Sequence, residues 1–224
     1  MGIAAVIFDC DGVLADTEPL HLAAFNRVVA PLGIVISDEK YLAEYLGFDD
    51  RDAFGHVLRH HGRQATAAVI ERLVAAKAEL FTTLLESDCR IYDGVREFVR
   101  SLGETPRAVA SGARRDEVAI VLRAAGLIDD MRIVVAMEDV AAGKPYPEPF
   151  LTALAGLNGS GTTITPAECL VVEDSVLGVE AARRAGMRCL AVTNSYPAHR
   201  LAAADLVVPS LVGLTLADLR QRWP

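Results

Sequence analysis

The apolar run Ala4-Ala5-Val6-Ile7-Phe8 stops abruptly at Asp9-Cys10-Asp11-Gly12. With no polar alternation, such a run reads as a strand buried on both faces, the pattern of a parallel sheet covered by helices. Open α/β sheets bind ligands beyond the carboxyl ends of their strands, so Asp9 and Asp11 stand where chemistry is done. Two close carboxylates repel unless a cation lies between them, and the hard, oxygen-seeking Mg²⁺ suits such a pair. Gly12 permits a sharp turn. The same residues also suit a strand end with solvated turn aspartates, so the rest of the chain has to decide.

From Thr17 to Ser87 the sequence shows helical spacing and no period-two alternation. Thr17 is read as an N-cap with Pro19 in the first turn. Leu20, Ala24, Val28 and Leu32 follow, and Gly33 closes the helix. Ser37 starts a short helix that ends near Gly47, and a polar turn from Phe48 to Arg51 leads into one running to His60-His61. Thr66 begins a longer helix with Val69, Ile70, Leu73, Val74, Leu80, Phe81, Leu84 and Leu85 as its stripe.

From Ile91 helices alternate with strands at Arg107–Ala110, Ile133–Ala136, Cys169–Val172, Cys189–Val192 and Leu206–Val208. Asn158-Gly159-Ser160-Gly161 reads as a surface loop. The fold expected is α/β: a doubly wound parallel-sheet, Rossmann-like core of residues 1–16 and 88–224, with a helical insertion over 17–87.

A net charge of −8 argues against nucleic acid as a partner, although local cations can still receive a phosphorylated substrate. No run is long and apolar enough to span a bilayer. No basic segment precedes Ile3 and the first apolar run ends at Asp9, so no signal peptide is expected. Cys10, Cys89, Cys169 and Cys189 are dispersed without metal-type spacing, which suits a reduced, cytoplasmic protein. A monomer or weak dimer is expected.

The strand ends gain meaning together. The first closes in Asp9 and Asp11, the next in Ser111-Gly112, a later one in Glu173-Asp174, and Lys144 lies in the loop Gly143-Lys144-Pro145. In a parallel sheet these ends share one edge. Carboxylates hold Mg²⁺, Ser111 and nearby amides grip an anion, and Lys144 neutralises charge on a nucleophile and a phosphate. Singly, each has an ordinary reading: a solvated loop lysine, a helix cap, charges complementing a helix dipole. Their occurrence in this order carries the functional reading.

Asp9-Cys10-Asp11-Gly12-Val13-Leu14, Ser111, Lys144 and Glu173-Asp174 together resemble the four signature motifs of the haloacid dehalogenase superfamily, over essentially the whole chain. Gly143-Lys144-Pro145 and Val172-Glu173-Asp174-Ser175 are similar to its β-phosphoglucomutase-like phosphatase and phosphomutase branch. The resemblance implies that the helical insertion is an α-helical cap and that the enzyme works through an aspartyl phosphate. It makes Asp9 the nucleophile and Asp11 the acid and base. Ser111 with Gly112 would hold the phosphate, and Lys144 would neutralise charge. Mg²⁺ would be held by Asp9, the Asp11 carbonyl and Asp174, with Glu173 on the ion or just behind it. Dehalogenases and phosphonatases of the superfamily lack the second acid, so Asp11 favours phosphate esters. The expected activity is hydrolysis of a small phosphorylated metabolite, a sugar phosphate, with a sugar phosphomutase as the alternative. A phospho-receiver signalling domain uses similar groups, but it carries no helical insertion and needs no acid at Asp11.

Within the cap, His21 matches a mutase histidine that couples substrate to the acid/base Asp, and it equally suits a half-exposed helix histidine. Gly47 and Arg51 resemble the loop that contacts the substrate's distal group, but their spacing is a residue longer than in the mutase. Leu46 stands where the mutase has a lysine. Arg51 is therefore either an anion clamp or a surface helix residue. Lys77 falls on the apolar stripe of the long helix and matches a cap lysine of the mutase. The missing lysine at Leu46 favours hydrolysis over isomerisation.

Overall fold

The run before Asp9 forms β1 (Ala5–Phe8), buried along its whole length. A computed structural model describes residues 2–159, 161 and 163–223. Among these, β1 joins β2 (Arg107–Ala110), β3 (Ile133–Val135), β4 (Cys169–Glu173), β5 (Arg188–Val192) and β6 (Leu206–Val208) in one sheet. The order is β3-β2-β1-β4-β5-β6 and every pairing is parallel. The strand order reverses between β1 and β4, where Phe8 pairs with Val172. That reversal is the place at which an open α/β sheet leaves a crevice for ligand. Cys169 and Cys189 are buried in β4 and β5 as small apolar residues.

The chain divides into two compact units, one made of residues up to Asp16 and from Arg90 onward, the other of Thr17–Cys89. The second unit is wholly helical: α1 (Glu18–Val29), α2 (Asp38–Glu44), α3 (Asp50–His60) and α4 (Ala67–Asp88). Ser37, Asp49 and Thr66 each accept a first-turn N–H as N-caps of α2, α3 and α4. Thr17 holds the N-cap position of α1 in a helical conformation, and its side chain makes no capping bond, contrary to the sequence expectation. Phe25 stacks on Phe54 at 4.4 Å in a core shared with Leu22, Val57, Leu58 and Leu73. Asn26 ties the segment after α1 to the helix, donating to Ile36 O and accepting from Ile36 N, both at 2.8 Å. Leu73, Lys77, Phe81 and Leu85 are the buried row of α4, four residues apart, so the lysine sits in line with the core residues.

In the sheet-bearing unit, α5 (Val95–Ser101), α6 (Arg115–Ala125), α7 (Glu148–Asn158) and α8 (Val176–Arg184) alternate with the strands. Ala5 and Ile7 pack in one cluster with residues of α7 and α8, while Phe8 meets Phe98 of α5 edge-on at 6.0 Å. Alternate residues of β1 thus reach opposite helical layers. α9 (Leu216–Arg222) lies beyond the last element expected from sequence. Its signal was the pair Thr215 and Asp218, which bond each other's backbone N–H as a capping box. Of the expected loop at 158–161, Ser160 lies outside the described residues. No helix among the described residues is long and apolar enough to cross a membrane.

Candidate active site

Beyond β1 the ladder continues by one bond, Asp9 N to Val172 O at 2.9 Å, and then the chain folds back. Cys10 O accepts from Leu14 N at 2.8 Å and Ala15 O from Gly12 N at 2.9 Å. Gly12 has φ +71°, and a Cβ there would lie 1.8 Å from Asp174 Oδ2. Conformation and space both demand glycine.

Asp9, Glu173 and Asp174 are buried, and each offers a carboxylate oxygen within 4.8 Å of the other two. Lys144 Nζ stands 2.8 Å from Asp9 Oδ1 and 2.6 Å from Glu173 Oε1. Glu173 spends its other oxygen on the start of α8, accepting from Asp174 N at 3.0 Å and from Ser175 N and Oγ at 2.9 Å. Ser175 in turn caps α8 by accepting from Gly178 N at 3.0 Å. One carboxylate therefore links the lysine to a helix N-terminus.

Burial pushes the Asp9 carboxyl up to about 7, against the lowering pull of Lys144 and with a further push from Glu173. Burial, with Glu173 and Asp9 beside it, raises Asp174 well above the carboxylate range. Burial alone would lower Lys144, but the charges of Asp9 and Glu173 outweigh it and hold the ammonium well above its usual value. Asp9 Oδ1 is buried and, despite the close ammonium, has no aligned hydrogen bond. Three converging buried carboxylates form an all-oxygen set that fits a hard divalent cation.

Ser111 follows β2 on the same sheet edge. Its N–H donates to Val135 O at 3.0 Å, and its Oγ accepts from Ala113 N at 3.0 Å. It does not cap α6, whose N-cap position is taken by Arg114. Gly112 is exposed, and a Cβ there would meet nothing within 4 Å. Asp11 is half-buried in the turn after Asp9.

Glu117 in the first turn of α6 was not singled out from sequence. Its carboxyl accepts from Arg114 N at 2.9 Å. Burial raises it to about 7, the Arg114 N–H opposing and Asp11 adding to the rise. The unfolded chain ionises this group near 4.5 and the folded chain only near 7. Its contribution to stability is therefore full below 4.5 and lost as pH rises to about 7. The melting temperature of metal-free protein should fall across that window, and Glu117→Gln should flatten the slope. An unchanged slope in the variant would refute the assignment.

In the helical unit Lys77 Nζ lies 2.5 Å from Asp50 Oδ1 and 2.9 Å from His21 Nδ1. The His21 ring stacks on Phe81 at 3.9 Å. Burial and the Lys77 charge lower the His21 pKa well below its usual value. The imidazole is neutral, and because Lys77 donates to Nδ1, the ring proton sits on Nε2. Arg51 instead pairs with Glu71 at 2.7 Å, its side chain 68% exposed. Gly47 (φ +82°) lies in the exposed turn after α2. Asp50, which engages Lys77 from 27 residues away, carries no local sequence signal of that contact.

A model of the haloacid dehalogenase-like hydrolase family matches residues 6–192, and the chain belongs to that family. Within it the chain falls in the β-phosphoglucomutase-like branch, and the protein is a phosphoric monoester hydrolase. It is 27% identical over 222 residues to the validoxylamine A 7'-phosphate phosphatase of Streptomyces hygroscopicus subsp. limoneus, covering 97% of this chain and 95% of that protein. It is 29% identical over 225 residues to the β-phosphoglucomutase of Bacillus subtilis, covering 98% and 95%. Among solved structures, CbbY of Rhodobacter sphaeroides in complex with phosphate superposes with a TM-score of 0.83 at 29% identity, covering 97% of this chain and 99% of that one.

Proposed function

We propose that the protein is a cytoplasmic, magnesium-dependent phosphatase that hydrolyses a sugar phosphate, or a similarly small phosphorylated metabolite, through an aspartyl phosphate on Asp9. The observation that carries this is the pairing of buried Asp9 with Lys144 at 2.8 Å, beside Glu173 and Asp174 at the switch point of the sheet. Buried thiols at Cys169 and Cys189 support a reducing setting.

A carboxylate oxygen of Asp9 attacks phosphorus, the P–O ester bond breaks, and Asp11 gives its proton to the leaving oxygen. Water then attacks the phosphorus of phospho-Asp9 and loses its proton to Asp11. Inorganic phosphate leaves and both acids are restored. Lys144 opposes the burial that favours the neutral form of Asp9, and Ser111 with the Gly112 amide holds phosphoryl oxygens. Asp9, the Asp11 carbonyl and Asp174 would hold Mg²⁺, Glu173 lying behind them because both its oxygens are committed. When bound, Mg²⁺ supplies positive charge that offsets charge on the transferring phosphoryl group. The helical unit serves as the cap that selects substrate, with His21 and Lys77 as its polar groups and Gly47 shaping its loop.

The similarity to a β-phosphoglucomutase supports phosphomutase activity as a second reading. A mutase must retain a bisphosphate until it reorients. Here Leu46 replaces a lysine, and the charge of Lys77 is already met by Asp50. One lost charge-assisted contact costs on the order of 1.5–3 kcal/mol, roughly tenfold to a hundredfold in retention. A panel of phosphorylated metabolites with and without Mg²⁺ tests the phosphatase reading, and lack of Mg²⁺-dependent phosphate release across it would count against that reading. Given β-glucose 1-phosphate and a bisphosphate activator, the enzyme should release inorganic phosphate faster than it forms glucose 6-phosphate. The opposite order would establish the mutase.

A further inference from the structure

The loop after β5 is not accounted for by the motif residues. Asn194 Nδ2 donates to Gly12 O at 2.7 Å, bridging 182 positions of sequence. Ser195 Oγ donates to Asp174 Oδ2 in a short hydrogen bond. Gly12 is pressed against the same pair, since a Cβ there would come 1.8 Å from Asp174 Oδ2 and 2.8 Å from Ser195 Oγ. The base of the loop is held to the sheet by Thr193 N donating to Val208 O at 3.1 Å. Three segments remote in sequence thus meet at one point: the turn after β1, the end of β4 and the loop after β5.

We infer that Ser195 and Asn194 are positioning residues of the proposed active site. Ser195 commits Oδ2 of Asp174 to a hydroxyl, so that Oδ1 is the oxygen offered to a cation. Asn194 holds the turn that carries Asp9 and Asp11 in register with it. The inference rests on the magnesium-dependent reading above. A ligand oxygen already oriented by a partner on its neighbour loses less freedom when the cation arrives, and such partners typically contribute tenfold to a hundredfold in metal affinity. That turn carries the nucleophile together with two of the proposed ligands, so its misplacement costs rate as well as metal affinity.

Isothermal titration of the purified full chain with MgCl₂, alongside melting of the metal-free protein, tests the assignment. Ser195→Ala is expected to bind Mg²⁺ about tenfold or more weakly, with a metal-free melting temperature near that of wild type. Ser195→Thr, which keeps the hydroxyl, should restore binding. Asn194→Ala should lower kcat about tenfold with little change in KM. If Ser195→Ala fails to fold, Ser195→Cys, similar in size but a weak donor, serves in its place. Wild-type Mg²⁺ affinity in the Ser195 variant, or no recovery with Ser195→Thr, overturns the role of Ser195, and a wild-type kcat in Asn194→Ala overturns that of Asn194. A wild-type protein that takes up no Mg²⁺ overturns the metal-dependent reading itself, and with it this inference, before any variant is made.

Discussion

Asp9→Asn is expected to lower phosphomonoester turnover by about a thousandfold or more, because it removes the atom that forms the covalent bond. The exchange is close to isosteric, and Lys144 keeps Glu173 as a partner at 2.6 Å, so the fold should survive. Beryllium trifluoride with Mg²⁺ mimics an acyl phosphate only on an ionised aspartate. Wild type should therefore gain thermal stability from the mixture and Asp9→Asn should not. Substantial turnover by the variant would end the aspartyl-phosphate mechanism and leave direct attack by water as the route.

Lys144→Ala should have the second-largest effect, and on stability as well as rate. The substitution leaves Glu173, which has no exposed surface, and buried Asp9 without a counter-charge. Breaking a buried ion pair from one side costs about 3–5 kcal/mol. The sign with pH follows from the carboxylates. Without the lysine the folded pKa of Asp9, already raised by burial, rises further, while the unfolded chain still ionises near 4. The folded state must then bind protons that the unfolded state does not, so the destabilisation grows as pH rises. Chemical denaturation should show a smaller loss at pH 5 than at pH 8, and Mg²⁺ should recover part of it. A variant as stable as wild type at pH 8 would show that the lysine does not compensate the acids.

The strand ends could be read from sequence because a central parallel strand carries no polar residue until it stops. Phe8 to Asp9 and Val172 to Glu173 are abrupt changes, and neighbouring parallel strands place them side by side. The helices could be read where they announce themselves locally, as Ser37, Asp49 and Thr66 do. What escaped is held by contacts between distant residues. Nothing local marks Ser195 as the partner of Asp174, or Asp50 as that of Lys77 27 residues away. Arg51 illustrates the converse: a charge in a suggestive place is satisfied by Glu71, 20 residues along. The pairing of a surface charge depends on which side chains the fold brings within reach, and spacing along the chain does not report it.

The position of β1 has a consequence for biosynthesis. It is made first, yet it lies at the middle of the sheet, and its partner Cys169 is 164 residues downstream of Ala5. At roughly 5–20 residues per second on the ribosome, that partner follows about 8–30 seconds later. For that interval a strand buried along its whole length has an open edge, and the helical segment behind it is completed within the same time. The helical unit is thus synthesised whole before the sheet it interrupts can close.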